Sequence, residues 1–498
     1  MEAPPPPPPP AAALVSGVIL DESVLLDNNS ETATLRSPAL SLLRKLRHSN
    51  LPHLGISYSS SLSHDKVSLL KNTATQYSID CFILDGSTWT WSDHNEGSVL
   101  YVVTKSSKDT FNLFNKLNWI IIAVDAKGAV ADPYDNLKTL GISRVEELYS
   151  TICCLNKKAI GKDVVTVGYI MKPSREEDFA KRGAFPLSPT PNGLMFMPLT
   201  FELPLPSQLQ YVDIILHKAT DEILSLELNS STEFAKSITY TTGMQELKRY
   251  MEHHASCFVI DPLEKIYPVL DRLKIQQILL GLEDLHTEGH LTIRGPHFLK
   301  VDDFNEPDLI RRLSEAKLSL PSIVKPQIAC GVADAHSMAI VFRVEDFKDL
   351  SVPLPAIVQE YVDHSSTLFK IYVLGEKVFY AVKKSTPNID ILIKSSESNG
   401  IGPLLFDSLK SLPTSTENSL SATHQFDFAL VTDAAKWLAR KLDLTVFGFD
   451  IVVEEHTHDH VIVDVNYLPS FKEVPDDVSI PAFWDAIKNK FESRRDKK

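Results

Sequence analysis

The chain has 498 residues, of which 43% are hydrophobic and 23% charged, and its formal net charge is -14. That length exceeds one ordinary core and suits about three domains, and the near-average composition excludes a fibrous repeat or a wholly disordered chain. The negative balance disfavours nucleic acid and anionic membrane as partners, so a phosphate-rich ligand needs a local cationic pocket.

Five cysteines, Cys81, Cys153, Cys154, Cys257 and Cys330, form an odd set without CxxC spacing. Reduced thiols in the cytoplasm or nucleus are expected. Residues 1–13 hold seven consecutive prolines, Pro4 to Pro10, and read as a disordered tail. The apolar run after them is too short to cross a bilayer and follows no basic segment, so neither a membrane span nor a signal peptide is expected.

Residues 14–155 alternate apolar runs with helical patterns: VSGVIL, amphipathic LSLLRKLRHS, LGISYS, SIDCFIL, SVLYVVT and WIIIAVD. This rhythm predicts a Rossmann-like domain of parallel βα units. Asp21 closes the first strand in GVILDES, where haloacid-dehalogenase-like phosphotransferases carry a nucleophilic Asp and, two residues on, a second acid. Here the second position is Ser23. The domain resembles that fold in degenerate form, and a structural or protein-docking role is expected.

Residues 160–260 begin a second series with VVTVGYIM (164–171), continue through Pro186, Pro189 and Pro191, and reach YVDIILHKATDEI (211–223), which holds Lys218. From 261 to 498 the pattern changes. Asp261 and Pro262 read as N-cap and first residue of a helix that also carries Arg272. Strands follow in SIVKP, MAIVFRV, PAIVQEYV, LFKIYVLG and VFYAVKK. Residues 385–425, rich in Ser, Asn, Gly and Pro, read as a long mobile loop. FALVTDAAKWLARKL reads as a helix.

The last two strands carry the strongest chemical signal. In TVFGFDIVV, period two puts Gly448, Asp450 and Val452 on one face; in HVIVDVNY it groups Ile462, Asp464 and Asn466 opposite Val461, Val463 and Val465. A hairpin centred on Thr457 pairs Glu455 with Asp459 and sets Asp450 against Asp464. Two carboxylates so close repel unless a cation intervenes, and an Asp, Asp and Asn oxygen set suits magnesium. The HTHDH stretch between them, with His456, His458 and His460, reads as a solvated turn.

Cationic residues accumulate upstream. Lys325 ends an apolar strand just before CGVADAHSM, whose Gly331 permits a phosphate-cradling turn. Glu360 and Val362 could read an adenine edge through their backbone groups. Lys218, Arg272, Lys370, Lys383 and Lys384 add charge between apolar neighbours, as a polyanion site requires.

From about Val164 to Phe491 these motifs in order, VGYIMK, DIILHKATDEI, VIDPL with LDRLK, SIVKP with CGVADAHSMAIVF, IVQEYVDHSSTLFKIYVLGE, and FGFDIVV with VIVDVNYLP, resemble the inositol 1,3,4-trisphosphate 5/6-kinases, an ATP-grasp family, and most of all its plant members with an N-terminal extension. The resemblance implies an α/β and α+β chain, an ATP-grasp fold behind the Rossmann-like domain, with ATP and Mg2+ as cofactors and an inositol phosphate as acceptor. It implies ATP contacts by Arg272, Lys325 and the hinge Gln359, Glu360, Tyr361 and Val362, and metal ligation by Asp450, Asp464 and Asn466. Acceptor contacts fall to Lys218, His336, Lys370, Lys384, Asn466 and Ser470, with Lys172 or Arg175 as the N-terminal basic residue. Lys325, Lys370 and His336 are the expected catalytic residues. The chain departs from the family pattern at Cys330, where His or Asp is common, and at Ser470, where Gly is common.

The expected activity is inositol 1,3,4-trisphosphate 5/6-kinase or inositol tetrakisphosphate 1-kinase, in a monomer. The alternatives are an ATP-grasp carboxylate–amine ligase, which uses the same metal triad, and a non-catalytic inositol phosphate binding protein.

Overall fold

The computed structural model describes residues 13–27, 32–84, 97–104, 119–125, 139–161, 164–227, 238–254, 257–285, 292–348, 350–399, 402–410 and 426–495. The expected tail at 1–13, except its last residue, lies outside them. The chain forms two compact units, Met1–His217 with His254–Phe258, and Lys218–His253 with Val259–Lys498. The expected border between domains 14–155 and 160–260 falls inside the first unit.

In the first unit, β1 (Val15–Asp21), β2 (His53–Tyr58), β3 (Asp80–Ile83), β4 (Ser98–Thr104), β5 (Trp119–Val124) and β6 (Thr139–Ile142) form a parallel sheet in the order β3-β2-β1-β4-β5-β6. The continuous apolar runs of β1 and β4 fit strands covered on both faces. Asp21 lies at the end of β1, where the strand order reverses. Its carboxylate is occupied: Oδ1 accepts from the Ser23 amide (3.0 Å) and Oδ2 from the Tyr101 hydroxyl (2.5 Å). A second parallel sheet contains β7 (Val165–Ile170), flanked by β8 (Leu194–Pro198) and β9 (Ile214–His217).

The fully buried Asn156 joins β1 to the segment that leads into β8. From the helix Leu148–Ile160 its Oδ1 accepts from the Val15 amide (2.8 Å) and its Nδ2 donates to the Leu187 carbonyl (3.1 Å).

In the second unit, β10 (Ile223–Leu226) pairs with β11 (Ile238–Tyr240), and β12 (Phe258–Ile260) carries the chain over from the first. Two mixed or antiparallel sheets follow. The strands β13 (Ile293–Arg294), β14 (Phe298–Val301), β15 (Ser322–Pro326), β16 (Ser337–Val341), β17 (Ala356–Glu360), β18 (Thr367–Leu374), β19 (Lys377–Lys384), β20 (Leu404–Asp407), β21 (Val446–Val453) and β22 (His460–Tyr467) are ordered β14-β17-β15-β16-β20 in one and β13-β22-β21-β18-β19 in the other. Val324, Val341, Phe347 and Val358 anchor the core of the first. The expected helix forms over Phe428–Leu442, its N-terminus capped by the Asp427 carboxylate.

Three expectations change. Residues 385–425 do not form a single loop: Ile389–Asn399 is helical and β20 pairs with β16, while 411–425 lie outside the described residues. The cap of that helix was illegible locally, because Asp363, distant in sequence, accepts from the Ile389 amide (2.7 Å). His460 is no turn residue; it is fully buried, and its Nε2 accepts from the Asp427 amide (3.0 Å). His456 is exposed and His458 partly so.

Asp261 does not cap the helix Leu263–Leu270. At φ +55 it turns its carboxylate to the amides of Thr445 (2.6 Å) and Val446 (3.1 Å), the start of β21. Burial pushes this carboxyl up to about 6, against the pull of those amides. A carboxyl raised in the folded state contributes stability that is complete below its ordinary value of 3.8 and is lost as pH rises through about 6. Relative to Asp261→Asn, the wild type should therefore lose on the order of 3 kcal/mol across that window. Urea midpoints of both proteins against pH check this, and parallel curves refute it.

Candidate active site

The site begins with a register. Across β21 and β22, Gly448 faces Asn466 and Asp450 faces Asp464, as a hairpin centred on Thr457 requires. Past Asp450 the register slips by one, so Ile451 faces Ile462 and Val453 faces His460. Val463 is the extra residue of a bulge, which resets the period-two alternation. Two expectations fall with it. Ile462 is buried away from Asp464 while Val463 turns to the cleft, and Glu454, in place of Glu455, bonds Asp459 through its amide (2.9 Å).

The neighbouring strand completes the row. Lys370 of β18 faces Asp450, and its Nζ lies 3.4 Å from Oδ2. Burial pushes the Asp450 carboxyl up to about 6; Lys370 counters this and Asp464 adds to it. Asn466 Nδ2 donates to Asp464 Oδ2 (3.3 Å), which leaves Oδ1 of the amide as a further oxygen ligand. The donors are all oxygens of two acids and one amide, the set a hard divalent cation takes. Among the described residues no three His, Cys, Asp or Glu side chains gather to hold a metal.

Lys325, buried on β15, reaches across to donate to the Val463 carbonyl (3.1 Å). Burial pushes its ammonium down to about 8, against the attraction of Asp464 and with the repulsion of Arg272. Arg272, also buried, gathers the next loop. Its Nη1 donates to the carbonyls of Pro326 (2.6 Å), Ile328 (2.9 Å) and Ala335 (3.2 Å). With these carbonyls drawn inward, the amides of Cys330, Gly331 and Val332 are the groups that can meet an anion. Gly331 is required there: its φ is +88, and a Cβ would meet Ile223 Cδ1 at 2.7 Å.

At the other end lies the hinge after β17. The Glu360 amide donates to the His297 carbonyl (2.9 Å), but the His297 amide bonds the Glu360 carboxylate (2.9 Å) instead of completing the ladder. Arg294 forks onto the same carboxylate at 2.7 and 2.9 Å. Burial opposes ionisation of Glu360, yet the Arg294 fork and the His297 amide hold it below its ordinary value. The Glu360 carbonyl is thereby spared for another donor. His364 Nδ1 donates to the Val362 carbonyl (2.6 Å) and Nε2 meets the Ser385 hydroxyl (2.8 Å), so the hinge offers the Glu360 carbonyl and the Val362 amide.

These groups line one cleft of about 340 Å³. It contains Arg272, Lys325, His336, the four hinge residues, Lys370, Lys384, Asp450, Asp464 and Asn466, and also Lys383. Burial and Arg272 lower the His336 imidazole, whose Nδ1 lies 3.2 Å from Ser408 Oγ. Lys218 and Ser470 do not line the cleft. Lys218 donates to the Tyr467 carbonyl and lies over that ring at 4.8 Å. Lys172 and Arg175 belong to the first unit, at the start of the helix Pro173–Ala180. The sequence reading missed Met338, Leu368, Phe406 and Val463 of the apolar lining, and His364, while Val452 lies in the cleft with Asp450 as period two requires. An alternating apolar strand gives no sign of which face meets a ligand.

Comparisons with known proteins agree along the chain. Residues 287–484 match the family described as inositol 1,3,4-trisphosphate 5/6-kinase ATP-grasp domain, and residues 12–158 match ITPK4, N-terminal HAD-like domain. The inositol-tetrakisphosphate 1-kinase 6 of Oryza sativa subsp. indica is 48% identical over 500 residues, covering 96% of this chain and 90% of its own length. The inositol-tetrakisphosphate 1-kinase of Danio rerio is 27% identical over 289 residues, 57% of this chain and 69% of its own.

Arg272→Lys keeps the charge but loses the fork that draws the loop carbonyls together. Binding of a non-hydrolysable ATP analogue, followed by calorimetry, is expected to weaken at least about tenfold, the equivalent of one charged hydrogen bond. Unchanged affinity would separate the clamp from nucleotide binding.

Proposed function

The chain belongs to the inositol 1,3,4-trisphosphate 5/6-kinase family and is an inositol phosphate kinase, and from that premise we propose that it moves the γ-phosphate of ATP to a ring hydroxyl, with Mg2+ held by Asp450, Asp464 and Asn466. The observation that carries this reading is the Asp450–Asp464 pair, set opposite each other in the cleft that also holds Lys325, Lys370 and the hinge.

Phosphoryl transfer passes through a loose transition state, so positioning and charge neutralisation do most of the work. A divalent cation held by Asp450, Asp464 and Asn466 would supply charge neutralisation for the phosphates. The chain's own residues do the rest. The Glu360 carbonyl and Val362 amide hold the adenine edge between Met338, Phe406 and Val452; Lys325 and the loop gathered by Arg272 hold the phosphates. Lys370 and His336 orient the acceptor so that its hydroxyl oxygen lies in line with the breaking P–O bond. A phosphate beside Lys325 also relieves the burial of its charge.

Lys218, which donates to the Tyr467 carbonyl at the end of β22, and Ser470 just beyond that strand support the acceptor side in the same reading. The free thiols of Cys81, Cys153, Cys154, Cys257 and Cys330 suit a cytoplasmic setting.

The test is incubation with labelled ATP, Mg2+ and a panel of inositol phosphates, beside Asp464→Ala. Transfer is expected to fall by about 10³-fold in the variant, the scale of losing a preorganised charge partner. Equal transfer by both proteins would remove the triad from the chemistry; release of ADP with no labelled inositol product would overturn the kinase reading.

A further inference from the structure

The turn after β22 folds back over the sheet that carries the acid pair. Leu468 and Phe471 are fully buried at φ +41 and +39, and Pro469 sits on Gly448, where a Cβ would meet its Cγ at 3.1 Å and the Ile371 carbonyl at 2.7 Å. This brings Glu473 to the face of β18 and β19. There Oε2 accepts from the Tyr372 hydroxyl (2.6 Å) and Oε1 pairs with Lys383. Burial opposes its charge, but Lys383 and Tyr372 hold the carboxyl below its ordinary value.

The rows of the sheet locate this carboxylate. Val452 packs with Val362 at the hinge end. Next comes the row Lys370, Asp450, Asp464, and beyond it the row Tyr372, Gly448, Asn466. In-line transfer places the acceptor on the far side of the γ-phosphate from the nucleotide, which is the side of Tyr372. Glu473 spans from that row to Lys383, which stands opposite Leu368, one row beyond Lys370 on the hinge side. One of the cleft's lysines is thus already neutralised by a carboxylate of the protein.

We propose that Glu473 determines acceptor specificity: it occupies Lys383 and sets a hydrogen-bond acceptor beside the inositol ring, so that a ring with a free hydroxyl at that position is accepted and one with a phosphate there is repelled. The inference rests on the kinase reading above. A carboxylate facing a phosphate is a like-charge contact, which discriminates strongly where water is displaced.

The test compares kcat/KM for a panel of inositol trisphosphates and tetrakisphosphates, with ATP and Mg2+, in the wild type, Glu473→Gln, Glu473→Asp and Lys383→Gln. Glu473→Gln frees Lys383 for a phosphate, and should raise the tetrakisphosphate-to-trisphosphate ratio at least about tenfold. Glu473→Asp should keep the wild-type preference. Lys383→Gln leaves the carboxylate unneutralised and should lower the ratio. A purely structural role lowers all acceptors together and leaves the ratio where it was, which overturns the proposal, as does a change of the wrong sign in either variant. Absence of transfer by the wild type to every inositol phosphate would overturn the kinase reading as well, so the two failures are distinguishable.

Discussion

Two carboxylates held opposite each other on neighbouring strands set the electrostatic problem of the second unit's cleft. Asp450 and Asp464 face one another on a sheet whose other face is apolar core, and their like charge is tolerable only beside cations. Much of what surrounds them follows from that requirement. Lys370 comes from the next strand, Lys325 from the opposite sheet, and the deep burial that raises Asp450 also lowers Lys325. The cleft is thus strained electrostatically in both signs, and a polyanion with a divalent cation satisfies it as neither does alone.

The hinge is governed by a different economy of hydrogen bonds. Arg294 of β13 reaches both Glu360 and Asp459, whose Oδ2 lies 3.3 Å from its Nε, and so joins the hinge to the turn between β21 and β22. The Glu360 carboxylate in turn takes the His297 amide that a regular ladder would spend on the carbonyl. Recognition of a base edge needs such spared backbone groups, and the Glu360 side chain, oriented by Arg294, creates the opening at its own carbonyl.

What the sequence revealed and what it hid divide along range. Alternation in FGFDIVV and VIVDVNY was enough to set Asp450 against Asp464, because period two is a local property of extended backbone. The bulge at Val463 was hidden: Val461, Ile462, Val463 and Val465 are all apolar and β-branched, so that run reads equally well in either parity. His460 looked like turn material because its partner, the Asp427 amide, is remote. Asp261 looked like a cap beside a Pro, yet it serves two amides at the start of β21. The parallel order of the first sheet followed from its apolar runs; that Tyr101 had taken the second oxygen of Asp21 did not.

Asn156 has a consequence beyond its two bonds. Lys45 also pairs with Glu176 (3.3 Å) and Arg144 with the Glu202 carbonyl (2.8 Å), so the Rossmann-like sheet and the sheet that precedes Lys172 and Arg175 are stitched at several points. A domain whose Asp21 carboxylate is taken by Tyr101 thus supports basic residues elsewhere in its own unit. Severing the chain near residue 160 would take Asn156, Lys45 and Arg144 away from the Leu187 carbonyl, Glu176 and the Glu202 carbonyl, and water would have to replace bonds that are now made within one unit.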